Sequence, residues 1–138
     1  MVNMGLTVRL TFDAAHFLKA YEGKCAKLHG HSWQVVFVFR ALQPPSGYLP
    51  GIGMFQDFGP LKQALKDILP DHECLNSYIP MFNQDGGYNP TAENLAIYLF
   101  SQGVKVLQVP MKEGLMPLWL HRVEVWESPN ACAWYEEA

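Results

Sequence analysis

Hydrophobic and polar residues alternate strictly near the start of the chain. Leu6, Val8, Leu10 and Phe12 fall on one side, and Thr7, Arg9, Thr11 and Asp13 on the other. A period of two marks a strand with one face in a core. Ala14-Ala15-His16-Phe17 closes this strand, and Tyr21 to Lys24 reads as a loop. A second strand is expected over about residues 31–41, where aromatic and β-branched residues crowd together. Trp33, Val35, Phe37 and Phe39 share one of its faces and Val36 and Val38 the other, so burial on both sides is predicted. Residues 43–53 form a turn-rich connector. Asp57 then stands where it would cap a helix carrying Phe58, Leu61, Leu65, Ile68 and Leu69, with Pro60 in its first turn and Pro70 as its stop. Residues 71–76 read as a short structured loop. Asn89-Pro90-Thr91 opens a second helix with Ala92, Leu95, Ala96 and Leu99 as its apolar stripe. Gly103 is its expected stop, and Val104 to Val109 reads as a continuation or a strand. Leu118 to Trp126 and Ala131 to Tyr135 are the third and fourth strands, joined by Ser128-Pro129-Asn130.

The order ββααββ predicts one α+β domain over residues 1–138, with an antiparallel sheet and helices packed on one face. The opposite sheet face would then be apolar and uncovered. Charged residues make up only 17% of the chain, below the usual quarter, which agrees with surface buried by assembly with copies of itself. The net charge of −3 and the lack of any Lys/Arg block argue against nucleic acid. Cys25, Cys74 and Cys132 are too few and too scattered for a disulfide framework and fit a reducing compartment. With no signal-peptide pattern and no apolar run of spanning length, a soluble cytoplasmic protein is expected and a membrane partner is not.

Chemistry concentrates in Cys25-Ala26-Lys27-Leu28-His29-Gly30-His31. Residues two apart on a strand share a face, so His29 and His31 would stand side by side if the second strand begins early. His16, returned to them by an antiparallel turn, is the candidate third ligand of a zinc ion with one open position. Cys25 is then a buried inert thiol, a fourth ligand, or a thiolate base beside the open position. Asp71-His72 reads either as a helix-terminating turn or as a dyad in which Asp71 fixes the tautomer of His72 for proton transfer. Glu127 follows Val123 and Val125 on one strand face, where its carboxylate needs donors, from the 128–130 turn or from a ligand with adjacent N–H groups. Glu93 complements a helix dipole on the simplest reading. His121, Cys74 and Cys132 are taken as structural.

Taken together, Phe12-Asp-Ala-Ala-His16, Cys25-x3-His29-Gly-His31, Asp57-Phe58-x2-Leu61-Lys62, Asp71-His72-x2-Leu75-Asn76, Pro90-Thr91-x-Glu93-Asn94 and the late Glu127 resemble, in order, the 6-pyruvoyl-tetrahydropterin synthase superfamily. The resemblance implies a tunnelling fold: a four-stranded antiparallel sheet with two helices, closing in threes into a barrel and stacking as a hexamer. It implies zinc on His16, His29 and His31, and Cys25 as base with Asp71 and His72 as partners. It also implies Glu127 on the amino edge of a pterin, with Thr91 to Glu93 lining the same pocket. The three-residue spacer after the cysteine is similar to the queuosine-pathway branch, which makes 6-carboxy-5,6,7,8-tetrahydropterin from 7,8-dihydroneopterin triphosphate with loss of triphosphate and acetaldehyde. The alternatives are 6-pyruvoyl-tetrahydropterin formation without carbon loss, and a zinc-containing pterin-binding module without turnover. Lys24 and Lys27 are candidates for the triphosphate by proximity. Pro70, Ser128-Pro129 and a slightly extended 48–56 segment depart from the usual family pattern.

Overall fold

The computed structural model describes residues 2–83, 85–107 and 115–138. Strand β1 (Gly5–His16) pairs antiparallel with β2 (His29–Ala41), from Gly5 opposite Arg40 to His16 opposite His29. The predicted alternation holds: Val8, Leu10, Phe12, Ala14 and His16 are buried, whereas Thr7, Arg9, Thr11 and Asp13 are exposed. On β2, Trp33, Val35, Phe37 and Phe39 join them in the core. Strand β2 pairs antiparallel on its other edge with β4 (Leu118–Ser128), and β4 turns back through Pro129 and Asn130 into β5 (Ala131–Glu136). His121 is an extra residue in β4: Val38 faces Arg122 while Phe39 faces Leu120, so the strand bulges there.

The sheet has five strands, not the expected four. Glu73–Cys74, read from sequence as loop, forms a two-residue strand, β3, parallel to β1 at Ala14 and Ala15. Two residues are too few to leave a periodic signature, and their partner lies 59 positions earlier along the chain. The sheet is therefore mixed, in the order β3-β1-β2-β4-β5.

Helix α1 (Phe58–Lys66) begins at Asp57, whose carboxylate accepts the Gly59 N–H at 3.1 Å. A single turn, α2 (Leu75–Tyr78), is a third helix beyond the two expected. Helix α3 (Ala92–Val106) packs across β4 and β5 and passes straight through Gly103. That glycine is buried, and a Cβ there would come within 2.7 Å of Leu120 and 3.3 Å of the Phe37 ring. It lets the helix approach the sheet rather than ending it. The continuation beyond residue 107 falls outside the described residues.

The outer sheet face differs from expectation. Val36 is buried there and Val38, Trp126 and Trp134 share the face, but they stand among Thr7, Arg9, Thr11, Ser32, Gln34, Arg122, Glu124 and Glu136. Arg122 bonds Glu124 and Glu136, each at 2.9 Å, and its guanidinium lies 4.2 Å over the Trp134 ring. The apolar period within β2 did not reveal that β1 and β4 set polar side chains beside it. An uncovered apolar sheet face therefore no longer argues for assembly.

Candidate metal centre and active site

The β1–β2 register places three histidines together. His16 and His29 are directly opposed, and His31, opposite Ala14, is two residues on and on the same core-side face. The ring centroids lie 4.6, 4.8 and 5.2 Å apart, with Trp33 packed edge-on against His16 and His31. His16 is 2% exposed, and its Nδ1 donates to the Pro90 carbonyl at 2.7 Å; Nδ1 of His29 donates to the Lys27 carbonyl at 2.6 Å. A ring nitrogen that close to a carbonyl oxygen must carry the proton, so Nε2 of each ring keeps its lone pair.

Nε2 of His16 and of His31 are buried and have no hydrogen-bond partner. One ligand atom from each of the three histidines lies within 4.8 Å of the others. Zinc ligands at ~2.0–2.1 Å from the metal stand ~3.4 Å apart, so small side-chain rotations close the three onto one ion. Three imidazoles converging on one point, two of them oriented by carbonyls and two with a buried Nε2 that makes no hydrogen bond, suit a divalent cation, and the residues fit the group.

His16 and His31 also titrate below the usual histidine value of 6.5. Burial is the largest cause at both, reinforced by the neighbouring imidazoles; the Pro90 carbonyl and Glu127 oppose it at His16, and Glu127 at His31. The neutral form that a metal requires is thus favoured. The sign for stability follows: below 6.5 the unfolded chain takes up protons that the folded chain resists. These two groups should therefore leave melting of the metal-free protein unchanged above pH 6.5 and lower it on acidification below that value. A melting temperature that does not move over this range would mean that the two rings are not held neutral.

Asp71 and His72 form the predicted pair, with His72 Nδ1 3.0 Å from Asp71 Oδ2. The backbone turns sharply here, with His72 at φ +60, and β1 fastens the turn. The Asp13 N–H donates to Asp71 Oδ1 at 2.9 Å, and the His72 N–H donates to the Asp13 carbonyl at 2.6 Å. The bond from the Asp13 N–H, then that from His72, lowers the Asp71 pKa and keeps the carboxylate ionised. Both side chains are largely exposed and cluster with Asp13 rather than with the three histidines, although His72 and His31 line one open cleft.

Cys25 belongs to neither cluster. It sits half-buried in a 3₁₀ turn (Lys24–Ala26), and its carbonyl accepts the Leu18 N–H at 2.8 Å. Among the described residues its thiol is not in the group that converges within 4.8 Å. Glu127 reaches toward the histidines, with Oε1 3.5 Å from His31 Nε2. It shares a cleft of about 470 Å³ with Glu93, Ser128 and Trp134. Thr91, expected in the same pocket, caps α3, with its hydroxyl accepting the Asn94 N–H at 3.1 Å, and the next two residues, Ala92 and Glu93, line the cleft. Reading the sequence for chemistry missed Asp13, Asn89 and the Pro90 carbonyl, because backbone contacts across some 58 to 74 positions leave no local pattern. Asn76 stood within a recognised motif without any assigned task.

A family model described as 6-pyruvoyl tetrahydropterin synthase matches residues 5–138. The chain belongs to this family. It is 34% identical to a 6-carboxy-5,6,7,8-tetrahydropterin synthase of Synechocystis sp. over 129 residues, 91% of this chain and 87% of that protein. It is 30% identical over 117 residues to a putative 6-carboxy-5,6,7,8-tetrahydropterin synthase of Archaeoglobus fulgidus, 80% of this chain and 89% of that one. The structure of Caenorhabditis elegans 6-pyruvoyl tetrahydropterin synthase superposes with a TM-score of 0.74 at 25% identity, over 100% of this chain and 98% of the other. The fold is thus the α+β fold of pterin synthases. Among the described residues no helix is long and apolar enough to cross a membrane.

Proposed function

We propose that this protein is a zinc-dependent lyase of the cytoplasm, a 6-carboxy-5,6,7,8-tetrahydropterin synthase on the route to queuosine. Its substrate would be 7,8-dihydroneopterin triphosphate and its co-products triphosphate and acetaldehyde. The observation that carries this reading is the group of three imidazoles with two buried, unpartnered Nε2 atoms, within reach of Glu127. The name shared by the Synechocystis and Archaeoglobus relatives supports the choice of branch.

His16, His29 and His31 would hold the ion, which when bound supplies Lewis acidity toward the hydroxyls of the substrate's tail. The remaining work falls to the protein's own residues. Glu127 accepts paired N–H groups from the amino edge of the pterin, a charge-assisted contact strengthened in a poorly hydrated cleft. Glu93 lines the same cleft. Cys25, as thiolate, takes a proton from a C–H bond of the hydroxylated tail. Asp71 holds the Nδ1 proton of His72, which leaves Nε2 to accept or return a proton. Since the dyad is exposed and does not converge with its own three histidines, it would serve the site of a second copy. A hexamer formed as a dimer of trimers, each closing a barrel, would supply that arrangement.

A second reading, 6-pyruvoyl-tetrahydropterin formation, draws support from the likeness to the Caenorhabditis elegans structure. Incubation of the zinc-loaded protein with dihydroneopterin triphosphate, followed by mass analysis, separates the readings. The carboxy product with acetaldehyde is expected. The pyruvoyl product would replace the first reading with the second. Bound but unconverted substrate would leave a pterin-binding module.

A further inference from the structure

We infer that Asn76 and Asn89 are positioning residues for the proposed reaction: their amide groups clamp residues 17–19 so that Leu18 holds the turn carrying Cys25. The inference rests on the reading of Cys25 as the base. Asn76 Oδ1 accepts the Phe17 N–H at 3.0 Å, and its Nδ2 donates to the Phe17 carbonyl at 3.0 Å. Asn89 does the same at Lys19, accepting its N–H at 2.7 Å and donating to its carbonyl at 2.9 Å. Each amide takes the place of a neighbouring strand and extends the pairing of β1 past His16.

Geometry gives the pattern its purpose. In an extended backbone the N–H and C=O groups of successive residues face opposite edges, and those of alternate residues the same edge. Fixing 17 and 19 along one edge therefore turns Leu18 toward the other, where its N–H donates to the Cys25 carbonyl at 2.8 Å. Lys19 is pinned a second time, as its Nζ donates to the carbonyls of Phe82 and Asn83 at 3.0 and 2.7 Å. Ala20 follows directly at φ +56, a conformation alanine adopts only where its surroundings impose it.

The clamp is tied to the rest of the site from both ends. Asn94 Nδ2, in the first turn of α3, donates to the Asn89 carbonyl at 2.9 Å. The next residue, Pro90, holds the His16 ring. Asn76 is 5% exposed and lies four residues beyond His72. The two asparagines thus set the thiol turn in a fixed relation to a metal ligand and to the dyad segment.

The test uses the zinc-loaded protein with Asn89→Ala, Asn76→Ala and Asn89→Asp. In Asn89→Ala, amide exchange at Leu18 should rise at least tenfold while Val35 and Phe37 stay protected. Turnover should fall tenfold or more, with KM within twofold and metal content unchanged. Asn89→Asp retains the acceptor for Lys19 N–H but loses the donor, and should fall in between; it carries the test if an alanine variant loses protection at Val35 and Phe37. Gln63→Ala removes an exposed hydrogen bond to Asp67 on α1 and should change neither readout. Unchanged Leu18 exchange, or full turnover in a variant whose Leu18 has loosened, overturns the inference. If the unsubstituted protein shows no turnover, the reading of the reaction fails, and the Leu18 exchange then decides the clamp alone.

Discussion

Cys25→Ala is expected to abolish turnover while leaving zinc content and pterin binding nearly intact. A general base at the reacting carbon accounts for roughly 10²–10⁴ in rate, and alanine offers no substitute. Zinc should stay because the thiol lies outside the group of three converging imidazoles. Pterin affinity should stay because Glu127 and its cleft are untouched. The backbone of the turn should persist as well, since Leu18 is bonded to the carbonyl of residue 25 rather than to its sulfur. Single-turnover rates, metal analysis and pterin titration on one preparation give the three readouts. A variant with normal turnover would end the case for Cys25 as base. A variant that loses its zinc would make Cys25 a ligand.

His16→Ala should cause the second large effect, near-complete loss of zinc. His16 is the most buried of the three converging histidines, and its Nε2 has no protein partner whose loss could be mistaken for loss of metal. Outer partners of metal ligands already account for ~10–100-fold in affinity, and removing a ligand should exceed that. His29→Ala, at a half-buried ring, should behave similarly with less effect on folding. Metal stoichiometry after dialysis against a weak chelator gives the result, and circular dichroism confirms that the variant is folded. Retention of one zinc per protomer in either variant would remove that residue from the ligand set.

The strands were legible in the sequence where side chains report on a face. Leu6 to Phe12 and Trp33 to Phe39 alternate because a core lies on one side of them, and the same phase carries His16, His29 and His31 to that side. Strand β3 and helix α2 were not legible, because two and four residues fall short of a period. Gly103 misled for a different reason: the residue that ends helices is also the one that lets a helix touch a sheet. The outer face was misjudged because its polarity comes from four strands together. Within the site, residue types pointed to the three histidines that converge and to the Asp71–His72 pair. The carbonyls of Pro90 and Lys27 that orient the rings belong to the backbone and have no residue type to read.

The pairing of His16 with His29 would make the proposed metal centre a check on how the first hairpin aligns. A slip of one residue between β1 and β2 would send the side chains of one strand to the opposite face. The imidazoles would then part, and no cation could bridge them. One residue inserted between His31 and Trp33 would have the same result, turning His29 and His31 outward while the rest of β2 kept its place. A divalent ion would thus favour the correctly aligned hairpin over its shifted forms by the full free energy of binding, so metal supply during synthesis should reduce misaligned product.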